Sequence, residues 1–321
     1  MRKPKLQNRV GCGIATLPVS ALLALALWWW PQGSYSHDYA LGLVLVALTA
    51  YVLVETNNTF QLIRVRSRMV ASVWLLGMAG LGFLHPLQSS LAVAFCLAVS
   101  YHLLFRSYQR AEDVYDVFHA FLMLSLGSIL FPPLLFYVPF YCWYLLVFMR
   151  ALSLRTFFAA WVGLLLPFWF WGGYLLWQCD FSSPRWWEDG FLPFHNWLSH
   201  LSSYITVTPE CWWQQPLSVI RQSFLFWMIL AVSSSIYYLQ RSYDDKIRVR
   251  MMLYVYIFQT ALTLLFAFLH PQDAAVLLPL LLLNAAPLVA HYFTLRSTWL
   301  CFFSFLFFLL GAIYIGYLTF T

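Results

Sequence analysis

The sequence predicts an all-α, polytopic helical membrane protein: a single membrane domain over residues 1–321 with about eleven transmembrane helices, N-terminus in the cytoplasm and C-terminus outside. Three observations predict it. Hydrophobic residues make up 62% of the 321 positions and charged residues only 9%, where a soluble domain carries about 25% charged. Apolar runs recur along the whole chain, several near the ~20 residues that a bilayer core requires. Lys and Arg gather at alternate breaks between those runs, as the positive-inside rule demands.

The runs lie at roughly 14–30, 39–54, 69–84, 89–105, 117–131, 134–149, 156–177, 222–239, 251–269, 274–292 and 299–320. A backbone in lipid must satisfy its own hydrogen bonds, so runs this continuous predict helices. A transmembrane barrel would instead show segments of about ten residues with alternating polarity. The first run follows Arg2, Lys3, Lys5 and Arg9 and ends on Trp28, Trp29, Trp30 and Pro31, with no small-residue cleavage site. It therefore reads as a retained span with an aromatic belt, not as a signal peptide. With the N-terminus inside, 16 of the 18 Lys and Arg residues fall on the cytoplasmic side, and only Arg185 and Arg221 fall outside. The net charge of +6 is thus a topology signal, and no nucleic-acid partner is expected.

Two hairpins, 69–105 and 117–149, are expected to cross twice each in legs of about 16 residues, about 24 Å at the helical rise. That is short of a ~30 Å core. The apices at His85-Pro86 and Pro132-Pro133 are therefore expected below the outer surface, lining an outward vestibule. Local thinning of the bilayer is the alternative. A short repeat also stands out: Ile63-Arg64-Val65-Arg66 precedes Phe83-Leu84-His85-Pro86, and Ile247-Arg248-Val249-Arg250 precedes Phe268-Leu269-His270-Pro271. It reads either as a parallel internal repeat or as a chance likeness between apolar segments.

The one long loop, 178–221, lies on the outer face. Phe194, Trp197, Leu198, Leu201 and Tyr204 recur in it at helical spacing, which predicts an amphipathic helix lying in the interface. Trp186, Trp187, Glu188, Asp189, His195 and Trp197 are its candidate binding residues, as a lid over an outward site; a structural cap is the plainer reading. Cys179 and Cys211 fall in the same loop, where an oxidising compartment permits a disulfide that spacing alone does not establish.

No Asp, Glu, Lys or Arg falls near the middle of a span, which argues against an ion-coupled pump. Chemistry, if any, belongs to the outer face, where Asp38, His85, His270 and Asp273 are the candidate catalytic residues. A carboxylate or imidazole facing a recess serves as general acid or base once burial shifts its pKa. The plainer reading of each is a solvated loop residue or a helix-end cap. Inner-face clusters, Arg106 to Asp116 and Arg241 to Arg250, read as the positive-inside signal with local ion pairs. No Cys/His spacing suits zinc, no metal site is expected, and phosphate loops, dinucleotide fingerprints and nucleophile elbows are all missing, so no cofactor is expected. Any reaction would need a substrate activated beforehand, such as a lipid-linked donor.

Asn57-Asn58-Thr59-Phe60, Asp116-Val117-Phe118-His119-Ala120-Phe121-Leu122, the segment Leu126 to Phe136 around Pro132-Pro133, and Ala286-Pro287-Leu288-Val289-Ala290-His291-Tyr292-Phe293 together resemble an uncharacterised polytopic inner-membrane family of Bacteroidota. The resemblance implies a Gram-negative inner membrane and carries no functional residue with it. A looser likeness is to membrane-embedded glycosyltransferases that use polyprenyl-phosphate sugars. Asp38 stands where those enzymes carry a carboxylate in the first outer loop, although that loop is long and helical in them and about eight residues here.

Three functions fit. The first is a non-catalytic cell-envelope scaffold or assembly component in contact with membrane lipids and an envelope protein partner. The second is an outer-face transferase acting on a lipid-linked, polyprenyl-phosphate substrate. The third is an uncoupled lipid or solute transporter.

Overall fold

The computed structural model describes residues 6–29, 37–65, 67–179, 190–205, 218–295 and 299–320, and every element among them is helical. The chain is an all-α, multi-pass membrane protein. Among the described residues, seven helices are long and apolar enough to cross a membrane. They are α3 (His37–Phe60), α5 (Ser89–Arg106), α8 (Leu154–Gln178), α10 (Val219–Arg241), α11 (Ile247–Leu269), α12 (Ala274–Leu295) and α13 (Trp299–Phe320). Shorter helices fill the remaining apolar runs: α2 (Thr16–Trp29), α4 (Met69–Ala79), α6 (Val114–Leu130) and α7 (Val138–Val147), the last preceded by a 3-10 stretch, Pro132–Tyr137. Helices α1 (Leu6–Cys12) and α9 (Leu192–Ser203) complete the set.

Both hairpins thus contain a leg shorter than the sequence suggests. Helix α4 has 11 residues and stops at Gly80, beside a second helix-weak glycine, Gly82. Its last carbonyls find other partners: Thr319 Oγ1 donates to Gly80 O at 3.1 Å, and the His85 ring lies 3.2 Å from Ala79 O. Helix α6 ends because Phe131, which precedes Pro132-Pro133, is extended (φ −139°, ψ 91°), as a residue before proline prefers. Helix α7 has 10 residues and gives way to Arg150 at φ 51°.

The described chain forms two compact units, Met1–Ala98 with Glu210–Thr321, and Val99–Pro209. The first is built around α12, in which every residue from Leu277 to Thr294 is buried. A helix apolar on all sides must be central, and α12 packs against α1, α4, α10 and α11. Helix α4 is nearly as enclosed, held by α2, α3 and α12. A Cβ on Gly77 would come within 2.6 Å of Trp227 and 2.8 Å of Leu282, so the missing side chain sets the closeness of that packing. Polar ties join the helices where close approach permits: Ser20 Oγ to Ser72 Oγ at 3.0 Å, and Trp74 Nε1 to Val46 O at 3.0 Å.

The second unit centres on the crossing of α6 and α8. A Cβ on Gly163 would sit 2.3 Å from Phe118 O, so only glycine fits there. Two turns away on α6, Ser125 Oγ donates to Leu164 O at 2.6 Å. Helix α8 starts with a capping box, Ser153 and Thr156 each bonding the other's backbone N–H. Its outer side presents Phe158, Trp169, Phe170, Tyr174 and Trp177, all exposed. In water such a strip would be a liability; on a membrane-crossing helix it faces acyl chains.

The two copies of the Ile-Arg-Val-Arg repeat differ in form. The first leads into the 11-residue α4 and an irregular turn, the second into the continuous 23-residue α11. Both nonetheless meet at one end of the first unit, where Arg64 pairs with Asp245 and Arg248 lies over the Phe60 ring at 5.3 Å.

Candidate functional site

The catalytic candidates fall at two corners of the first unit. At one, Asp38 is exposed in the first turn of α3, and Gly42 lies one turn below it on the same face. A Cβ on Gly42 would sit 2.2 Å from His85 O, so the absence of a side chain there admits the 80–88 turn. The Trp28 ring stacks on the His85 imidazole at 3.9 Å and 16°, and His85 is fully buried. Burial pushes its pKa down to about 4, against the smaller opposing effect of the Ala79 and Met78 carbonyls. His85 is therefore a neutral, stacked group at the end of α4, with Trp28 covering one face of its ring. At the other corner, His270 occupies the C-terminal cap of α11, its N–H donating to Phe266 O at 2.8 Å, and is buried. Asp273 ends the 3-10 turn that follows, its N–H donating to His270 O at 3.2 Å.

In the long loop, Trp186, Trp187, Glu188, Asp189 and Cys211 lie outside the described residues. Cys179 is a buried free thiol donating to Leu175 O at 3.2 Å. The described helix of the loop is α9, which opens on Leu192-Pro193, packs against the 3-10 stretch Pro132–Tyr137 and meets α8 through aromatic side chains. Trp197 anchors it: the indole N–H donates to Ser128 O at 2.9 Å, and its ring packs at 5.2 Å from Phe168 and 5.8 Å from Phe194. Between α8 and α9 lies a groove of about 750 Å³. Its walls include Leu165, Phe168 and Trp169 from one side and Phe194, His195 and Leu198 from the other. Among the described residues, His195 is its one titratable lining residue. The volume lies in the range of small-ligand sites, about 300–1,000 Å³.

The most closely knit charged group was not among the sequence candidates. At the basic end of the first unit, Asp245 lies between α10 and α11 and is nearly inaccessible. It accepts from the Arg64 guanidinium, and His291 Nε2 of α12 stands 3.0 Å from its other oxygen. Burial pushes the Asp245 carboxyl up, but the hydrogen bonds from His291 and Arg64 outweigh it and hold it below its ordinary value. Tyr238 closes the site, edge-on to His291 at 5.0 Å. The second unit repeats the theme in simpler form, with Arg106 bound to the buried Asp116 at 3.2 Å and Arg155 to Glu112 at 3.2 Å. Among the described residues no three His, Cys, Asp or Glu side chains converge as a metal site. The signal that could have found the triad is the repeat, whose first copy holds Arg64 and whose second adjoins Asp245; nothing in spacing alone links either to His291.

Searches for similar proteins matched no family model, no curated protein and no solved structure.

Proposed function

We propose that this chain is an inner-membrane component of the cell envelope, a scaffold or assembly factor of a Bacteroidota-type family. In this reading it threads the bilayer about eleven times, with its basic ends in the cytoplasm. Its working surface is the groove between α8 and α9, which takes the apolar chain of a lipid. The groove is the observation that carries the reading: its walls are aromatic and aliphatic, and α8 is itself a membrane-crossing helix. A lipid tail enters such a groove directly from the bilayer, and α9, which forms one wall of it, is the interfacial helix of this reading.

The test uses the full chain in vesicles containing a phosphatidylethanolamine with a photoreactive acyl chain. Adducts are expected to concentrate on peptides from α8 and α9, and Leu165→Trp, which fills the groove, is expected to reduce them at least threefold. Adducts spread evenly over all spans, unchanged in that variant, would sink the groove. The scaffold role further expects a stoichiometric envelope protein on purification in mild detergent; a clean monomer removes it.

His195 in the groove wall favours a second reading, an outer-face transferase whose polyprenyl-phosphate substrate lays its tail there. Ala at Asp38, His195, His270 and Asp273 in turn would then abolish a deletion phenotype's rescue in at least one case. Full rescue by all four variants excludes it.

A further inference from the structure

We infer that the seam between α11 and α12 holds an internal water track, running from the basic end of the first unit to the middle of both helices. The track is separate from the lipid groove and does not depend on it.

The inference starts from Gln259. It lies near mid-length of α11 and is fully buried, yet neither its Nε2 nor its Oε1 has a hydrogen-bond partner among the described residues. A buried amide left unpaired carries the full cost of its lost hydration. Leucine would fill similar space without that cost, so a carboxamide here signals a polar companion.

The surroundings supply further polar groups along one line. Thr263, one turn along α11 from Gln259 and on the same face, accepts from Asn284 Nδ2 of α12 at 3.2 Å. The two helices are consecutive, joined through the 3-10 turn Pro271–Asp273, and run antiparallel. One turn back along α11 therefore lies beside one turn onward along α12, where Pro287 stands. Proline has no N–H, so the Leu283 carbonyl loses its partner within the helix at that level. Another turn onward, on the same face as Asn284, is His291. Its Nε2 is on Asp245, while its buried Nδ1 has no partner among the described residues. In the neutral ring, with Nε2–H donating to the carboxylate, Nδ1 is the acceptor. Asp245 is held in turn by Arg64, whose side chain is 47% exposed. Polar groups thus recur at intervals of about one turn from the surface to the middle of the helices.

The groups at the deep end are uncharged, so the chemistry suits a small neutral molecule that both donates and accepts. Water is the smallest such molecule, and buried waters ordinarily make about three bonds to groups of this kind. A water beside Gln259 accepts from Nε2 and donates to Oε1 or the Leu283 carbonyl. A second, near the mouth, donates to His291 Nδ1. The Asp245–His291 pair then stands where the track meets solvent.

The test is hydroxyl-radical footprinting by pulsed X-rays, which labels side chains next to bound water even when bulk solvent cannot reach them. The full chain is studied in lipid nanodiscs. Tyr256, one turn from Gln259 and almost wholly buried, and His291 are expected to label at rates within about tenfold of the exposed Tyr243, while the equally buried Trp74, off the track, stays unlabelled. Gln259→Leu is expected to lower Tyr256 labelling at least fivefold and leave Tyr243 unchanged. Tyr256 and His291 labelling no faster than Trp74 would overturn the inference, and so would Tyr256 labelling that Gln259→Leu does not alter. The wild-type comparison needs no variant, so it decides the matter even if the substitution prevents folding.

Discussion

His85 shows how burial turns a chemically versatile residue into a structural one. The imidazole lies under Trp28 with its ring nitrogen on the Ala79 carbonyl, and its folded pKa of about 4 is below the ordinary imidazole value of 6.5. A depressed pKa means the unfolded chain takes up the proton first. The stabilisation is present in full above pH 6.5 and is lost as pH falls toward 4. A shift of this size corresponds to at most about 3 kcal/mol. Thermal unfolding in detergent is expected to show a falling Tm across that window, and His85→Gln, which cannot titrate, is expected to flatten it. Asp245 acts in the same direction at lower pH. Its carboxyl is held below the ordinary range by His291 and Arg64, so its contribution is present above the unfolded carboxylate pKa and disappears as the carboxyl protonates. Asp245→Asn is expected to remove that acid limb and lower Tm at pH 7, because Arg64 and His291 lose the charge they share.

At the scale of elements, glycines mark where helices meet. Gly163→Ala drives a Cβ against Phe118 O and forces α6 and α8 apart, at a cost of about 1–3 kcal/mol. Gly172→Ala and Gly173→Ala, on the same helix with open space around them, are expected to change Tm little. The comparison separates close packing from helix propensity, which favours alanine at all three positions. Elements were also where the sequence was most legible. Each apolar run contains a helix, because hydropathy over such lengths reports the lipid solvent directly. Phe194, Trp197, Leu198 and Leu201 lie in α9, and Tyr204 is its C-terminal cap. The lengths of α4 and α7 were less legible, since apolar side chains continue past Gly80, where α4 stops, and through the 3-10 stretch Pro132–Tyr137 that precedes α7. The site was less legible still. Arg64 and Asp245 are 181 positions apart, and Asp245 and His291 46 apart, and only packing brings them together. Gln259 and Asn284 carry no charge, so neither stands out from the apolar runs as an ionisable residue would.

For the whole molecule, the testable quantity is topology. Fluorescent protein fused before Lys3 is expected to glow, as it does only in the cytoplasm, and alkaline phosphatase fused after Tyr317 is expected to be active, as it is only outside. Both tags reporting the same side would leave an even number of crossings and would make one of the four short helices, α4 or α7 foremost, a re-entrant element.

The burial of α4 also has a consequence for how the chain is made. Its surface is covered by α2 and α3, which precede it, and by α12, which begins roughly 200 residues later. At about 5–20 residues per second, a ribosome needs on the order of 10–40 s to supply that last wall. Until then an 11-residue helix with an open, non-helical end must wait partly finished, beside the translocon or under a chaperone's protection. Maturation of this protein is therefore governed from its distal third, and a nascent chain stalled before Ala274 is expected to be a substrate for membrane proteases, whatever the strength of its earlier spans.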